Sequence, residues 1–185
     1  MKIIYLGSLI KRKGLIVALE AMKILEKRPV NVKLDIYGSG NIEDYTLYKF
    51  QNVNYFGILP LEKTQSTIAQ YDLLLLPSYH DGWGVVVNEA IMQEVPAIVS
   101  NFVGSKCILE SSGAGIVFNS GNSLQLADIL EQLYAEPEKL NCLKDNCRII
   151  ADKILPSSAA GYLFKVFNYY FFKIHSVEKP IAIWC

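Results

Sequence analysis

The chain has 185 residues and a mass of 20.8 kDa, enough for one domain with a real core and at most a small appendage. Apolar residues make up 51% and charged residues 19%, which argues against disorder and leaves a surplus of buried-type side chains for a partner surface. Eighteen Lys and Arg balance eighteen Asp and Glu, so bulk charge gives no pull toward nucleic acid or an anionic membrane.

Short β-branched or apolar runs alternate with helical patterns from the first residues onward. The runs are Lys2 to Leu6, Val32 to Tyr37, Val53 to Phe56, Asp72 to Leu76, Pro96 to Ser100 and Gly115 to Phe118. Between the first two, Leu15, Ala18, Leu19, Met22 and Leu25 recur at helical spacing, and Pro29 marks the exit. Residues 41–50 offer only a short helix. After the sixth run, Leu124 to Tyr134, Pro137 to Ile154 and Ser157 to Lys173 read as three further helices. Right-handed crossovers turn such an alternation into a doubly wound parallel sheet, a three-layer α/β/α, Rossmann-like domain with strand order 3-2-1-4-5-6. The domain is expected over residues 1–156, with an aromatic helix and tail over 157–185.

Met1 to Leu6 is an apolar run that ends at Gly7 with no cleavage-type segment, and no stretch approaches a membrane span, so the reading is cytoplasmic. The four cysteines, Cys107, Cys142, Cys147 and Cys185, form no Cys-x-x-Cys pair and have neither His80 nor His175 at zinc spacing. No metal site is expected, and the thiols read as reduced.

In that strand order, strands one and four are neighbours, and the switch-point crevice lies between the loops that follow them. Those loops are Gly7 to Gly14 and Pro77 to Gly84, the two most unusual segments of the sequence. The first carries Lys11-Arg12-Lys13-Gly14, whose cations can reach a diphosphate that a helix N-terminus already favours; the bland reading is a solvated basic loop. The second runs Asp81-Gly82-Trp83-Gly84-Val85 into a helix. Gly82 and Gly84 keep its backbone open, so the first N–H groups of the helix can face an anion. Asp81 also suits a turn or cap before the glycines. Glu89 falls a little over one turn into the helix, flanked by Val85, Val86, Val87, Ala90 and Ile91, where it can accept hydrogen bonds from hydroxyls of the same ligand. A ligand with phosphates and a polyol is implied. Gly38-Ser39-Gly40 is a weak sign by itself and most often a turn. His80 reads as a loop residue, since no nucleophile pattern accompanies it.

Asp81-x7-Glu89, with Pro77-Ser78 before it and Glu89-Ala90 and Pro96 after it, resembles the Glu-x7-Glu signature region of the retaining group 1 glycosyltransferases, glycosyltransferase family 4, which have the GT-B fold. Asp81 stands for the first Glu, Trp83 for the aromatic residue and Glu94 for the Gly before the last proline of the motif. The resemblance covers residues 1 to about 172 and belongs to the carboxy-terminal, nucleotide-sugar-binding half of a GT-B enzyme. It implies that Gly7, Ser8, Arg12 and Lys13 form the diphosphate clamp, with Lys13 the phosphate lysine and Arg12 replacing an arginine usual at Ser8. Asp81 would contact the transferred sugar and Glu89 the ribose hydroxyls. Gly38 and the backbone near Ile58 would line the nucleotide side, and Gly82, Trp83, Gly84 and Val85 the diphosphate.

The implied function is a retaining glycosyltransferase donor-binding domain. It would take a nucleoside diphosphate sugar as donor substrate without a cofactor and pass the sugar to a glycan or lipid-linked acceptor. Absence of Asp-x-Asp is consistent with metal independence. Partners would be the nucleotide sugar and an N-terminal acceptor-binding domain or subunit, with no nucleic acid. The acceptor half lies outside the sequence, which reads as an excised domain, a split gene product or a truncated relic. Alternatives are a non-catalytic nucleotide-sugar binding module and a sugar-nucleotide epimerase half. Tyr162 to Lys173 holds seven aromatics in twelve positions; a surface for the other half, ordinary core packing and a peripheral membrane helix are all open readings.

Overall fold

The computed structural model of the protein describes residues 1–45, 50–174 and 179–180. Six strands, β1 (Lys2–Leu6), β2 (Lys33–Tyr37), β3 (Val53–Tyr55), β4 (Leu73–Leu76), β5 (Ala97–Ser100) and β6 (Gly115–Phe118), pair in parallel in the order β3-β2-β1-β4-β5-β6. β4 and β5 are buried at every position, as continuous apolar runs covered on both faces must be. The expected strand order and the doubly wound α/β architecture are therefore those of the molecule.

One face of the sheet, with Ile3, Tyr5, Leu34, Ile36, Leu73, Leu75 and Ile98, packs on α1 (Leu15–Leu25) and α5 (Ser123–Ala135). Arg28, just past α1, ties the two helices by ion pairs of 2.8 Å to Asp128 and 2.7 Å to Glu131. The other face, with Ile4, Leu74, Leu76, Ala97 and Val99, is covered by α2 (Thr64–Ile68), α3 (Val85–Met92), α4 (Lys106–Ser112) and α6 (Pro137–Ala151). Two helix starts are legible in the residues: Asn122 accepts from the Gln125 N–H at 2.9 Å to open α5, and Pro137 occupies the first turn of α6, where its missing N–H costs nothing.

The boundaries differ from expectation where the helix tightens or loosens. Pro137 to Ile154 divides into α6 and a 3-10 turn at Asp152–Ile154, and the last helix into α7 (Pro156–Val166) and a π-turn at Phe167–Phe171. The short helix expected over 41–50 is a 3-10 turn at Ile42–Tyr45, and residues 46–49 lie outside the described residues. So do His175, Cys185 and most of the tail after Ile174. Cys142 and Cys147 are free thiols, whereas Cys107 is disulfide-bonded, which departs from the reduced reading. No helix among the described residues is long and apolar enough to cross a membrane.

Candidate functional site

The loops leaving β1 to β4 meet at the carboxyl edge of the sheet, and glycines set how closely. A Cβ on Gly38 would stand 1.8 Å from the Gly7 carbonyl oxygen, so the loops after β1 and β2 touch backbone to backbone. Gly7 N donates to Tyr37 O at 3.0 Å, Leu9 N to Ser39 O at 2.7 Å and Gly38 N to Gly57 O at 2.8 Å, which stitches three loops into one surface. Tyr5 supports it from below. Its ring is fully buried and its hydroxyl donates to Ser8 O at 3.3 Å; burial first, then the charges of Tyr45 and Asp81, push its phenol well above the usual range and keep it a neutral donor.

Across the switch point the fit is as close. Gly14 is left-handed, with φ of 69°, and a Cβ there would lie 2.0 Å from Pro77 O. Tyr79 N donates to Arg12 O at 2.8 Å, and the Arg12 guanidinium returns a bond to His80 O at 3.0 Å. Lys13 and Asp81, 68 residues apart, form an ion pair with Nζ 2.5 Å from Oδ2, their side chains only 20% and 11% exposed. The basic turn Lys11–Lys13 thus contacts the second loop through Arg12 and Lys13, with Lys11 and Arg12 still exposed to solvent, and His80 contributes its carbonyl to it.

The second loop is fixed from its other side by the segment after β5. Asp81 N donates to Phe102 O and Gly104 N to Asp81 O, both at 3.0 Å, and Ser105 N to Trp83 O at 2.8 Å. A Cβ on Gly104 would fall 2.1 Å from Gly82 O. Gly84, with φ of 83°, then caps α3 from the left-handed region, which aims the unpaired N–H groups of the first turn out of the loop. The Trp83 indole N–H donates to Asn88 Oδ1 at 3.1 Å and pins the ring to α3. Glu89 lies four residues after Val85, half-buried, with no hydrogen bond or ion pair to the described residues, and burial raises its carboxyl above the usual range. A half-buried carboxylate without a partner is costly to the fold and available to a ligand.

Gly7, Ser8, Arg12, Lys13, Asp81, Gly82, Trp83, Gly84, Val85 and Glu89 are therefore carried by the two loops that meet and by the helix opening from one of them. Gly38 joins them through Gly7, while Ile58 lies farther along the stitched edge, 72% exposed, one residue past Gly57. Sequence reasoning missed Tyr5, Gly14 as a packing residue and Gly104. The Gly104 signal was present, a glycine four residues beyond β5, but its reason is a contact with Gly82, in the loop after β4. Among the described residues no group of three or more His, Cys, Asp or Glu is placed to hold a metal ion.

Residues 1–149 match the family described as "Glycosyl transferases group 1", and the chain belongs to that family. It is 29% identical over 135 residues to a capsular polysaccharide biosynthesis glycosyltransferase, CapM, of Staphylococcus aureus, covering 70% of this chain and 35% of that protein. The chain spans between 25% and 43% of the length of the curated relatives it matches. Two solved structures share its fold. The glycosyltransferase C-terminal domain LpcC of Francisella tularensis aligns with a TM-score of 0.70 at 20% identity, covering 82% of this chain and 85% of that one. HepE of Anabaena, solved with UDP and glucose, aligns at 0.71 and 21% identity over 82% of this chain and 43% of its own.

Proposed function

We propose that this member of the group 1 glycosyltransferases forms the donor-binding half of a retaining enzyme, passing a sugar from a nucleoside diphosphate sugar to a glycan or lipid-linked acceptor. One observation carries the reading. The cationic turn after β1 and the two-glycine loop after β4, with Asp81 in that loop and Glu89 on the helix it opens, converge on one crevice between β1 and β4, where the fold class places its ligands. The UDP and glucose held by HepE supply the ligand chemistry that such a crevice suits.

In this assignment the diphosphate lies against Lys13, Arg12 and the first N–H groups of α3. When the bond from the sugar carbon to the diphosphate oxygen breaks, its electron pair stays on that oxygen, and the fixed cations and amides stabilise the charge as it grows. The acceptor hydroxyl oxygen forms the new bond on the sugar carbon, and its proton leaves with the diphosphate or solvent. Arg12 spends one of its five N–H groups on His80 O and keeps the others for phosphate. Glu89 accepts from the ribose hydroxyls, and the second oxygen of Asp81 accepts from the sugar, an orienting role for both. Residues 1–156 constitute the donor unit; the acceptor site belongs to a second half, for which α7 and the π-turn supply an aromatic surface. No metal is required in this scheme, since the protein's own cations meet the charge.

The purified chain is expected to bind UDP or another nucleoside diphosphate and to transfer no sugar until an acceptor-binding domain is supplied. Glycosylation of an acceptor by the chain alone would overturn the division of labour. Failure to bind any nucleoside diphosphate would overturn the site itself.

A further inference from the structure

The Lys13–Asp81 pair has a geometry that a simple phosphate clamp does not need. Asp81 is anchored through both its N–H and its carbonyl to the Phe102–Gly104 backbone, and the Gly104–Gly82 contact leaves no room for that segment to shift. Its carboxylate is therefore carried on a fixed support, whereas Lys13 presents its ammonium on a flexible four-carbon stem. Both side chains are mostly buried, so salt and water screen the pair poorly, and an anion that meets the lysine also meets the aspartate. Lysine has three N–H donors, and with one directed at Asp81 it can contact a phosphate without leaving its partner.

We propose that Asp81 is the counter-ion of Lys13, and that the paired state weakens the hold of the crevice on a bare nucleoside diphosphate, so that the product leaves more readily than from an unpaired cation. The inference rests on the donor-binding reading above. An intact nucleotide sugar brings hydroxyl donors for the second Asp81 oxygen and a terminal phosphate that, esterified to the sugar, carries one negative charge fewer than in the product, which offsets the repulsion. The product has lost the hydroxyls and gained charge on its terminal phosphate. Asp81 thereby discriminates donor from product by acting on Lys13, a role separate from any contact with the sugar.

The test is titration calorimetry of UDP and of inorganic pyrophosphate on the full chain and four variants. Asp81→Asn should bind both anions about tenfold more tightly, and Lys13→Ala should be the weakest binder. The double variant should bind more tightly than Lys13→Ala and more weakly than the wild type, because it sheds the uncompensated aspartate charge but also lacks the lysine's contact with the phosphate. Asp81→Glu, which keeps the charge, should also bind like wild type, and this separates a charge effect from damage to the loop. Unchanged or weakened UDP and pyrophosphate binding in Asp81→Asn would overturn the inference while leaving the donor site standing. Loss of all binding already in the wild type would instead sink the donor-binding reading and this inference with it.

Discussion

The crevice loops and the carboxy-terminal segment are opposites in how they satisfy their own residues. At the crevice, Gly14, Gly38 and Gly104 bring backbones into contact, and Lys13, Arg12 and Asp81 all have partners across a strand boundary. In α7, the π-turn and the residue after it, Phe164, Phe171 and Phe172 are 68%, 70% and 70% exposed, and Phe167 with Phe171 and Tyr169 with Tyr170 pair within the segment itself. Close packing at the first region means that small changes there disturb the fold. The second region buries too little to be held by this chain, and changes there alter what the protein sticks to more than whether it folds.

A pair of glycines gives the sharpest break between the two. Gly14→Ala adds a methyl group 2.0 Å from Pro77 O at a left-handed φ, and should cost at least about 3 kcal/mol in chemical denaturation. Gly161→Ala, inside α7 with open space around the new methyl, should instead stabilise that helix by about 0.5–1 kcal/mol, read as helical signal retained on warming. A destabilised Gly161→Ala would mean that α7 packs closely around this position.

Replacing Phe164 and Phe171 by serine should cut binding of an apolar dye and any self-association, with an unfolding free energy within about 0.5 kcal/mol of the parent. A large loss of stability would move these rings from surface to core. Glu94, where the family's motif has glycine, sits at φ of 59° and pairs with Arg148 at 2.7 Å. Left-handed strain of about 1–2 kcal/mol outweighs an exposed, solvent-screened ion pair, and Arg148 keeps Asp145 at 2.9 Å. Glu94→Gly should therefore raise the unfolding free energy slightly, by about 0.5 kcal/mol.

The smallest effect concerns Glu89. Burial raises its folded-state pKa above the unfolded value, so the carboxylate costs stability at neutral pH, and that cost fades as pH falls through the raised folded value and the proton returns. Glu89→Gln should stabilise the chain by a fraction of a kcal/mol at pH 7, the gain shrinking at acid pH. A stability gain bought with lost ligand binding is what a site residue shows and a structural glutamate does not.

Much of this was legible in the chain. The runs Lys2 to Leu6 and Gly115 to Phe118 are strands to the residue, because glycine or helical spacing bounds them, and α1 follows its apolar face from Leu15 to Leu25. The convergence of the two crevice loops followed from strand order alone. What stayed hidden depends on distance along the chain. The Lys13–Asp81 pair spans 68 residues, and no local pattern tells a cation awaiting phosphate from one already matched to a carboxylate. Gly14 and Gly104 carry no local sign of their packing role, which lies in their closeness to Pro77 O and Gly82 O. The π-turn at Phe167–Phe171 had no signal, since its aromatics suit an α-helix as well.

The central claim is that the crevice between residues 7–14 and 77–84 binds a nucleoside diphosphate, with phosphate and ribose held by different residues. Calorimetry of UDP and inorganic pyrophosphate against wild type, Lys13→Ala and Glu89→Gln tests it directly. Lys13→Ala should weaken both ligands by about 1.5–3 kcal/mol, the worth of a charge-assisted contact. Glu89→Gln should weaken UDP and leave pyrophosphate unchanged, because its partners are ribose hydroxyls. Equal affinities for both ligands across all three proteins would contradict the account.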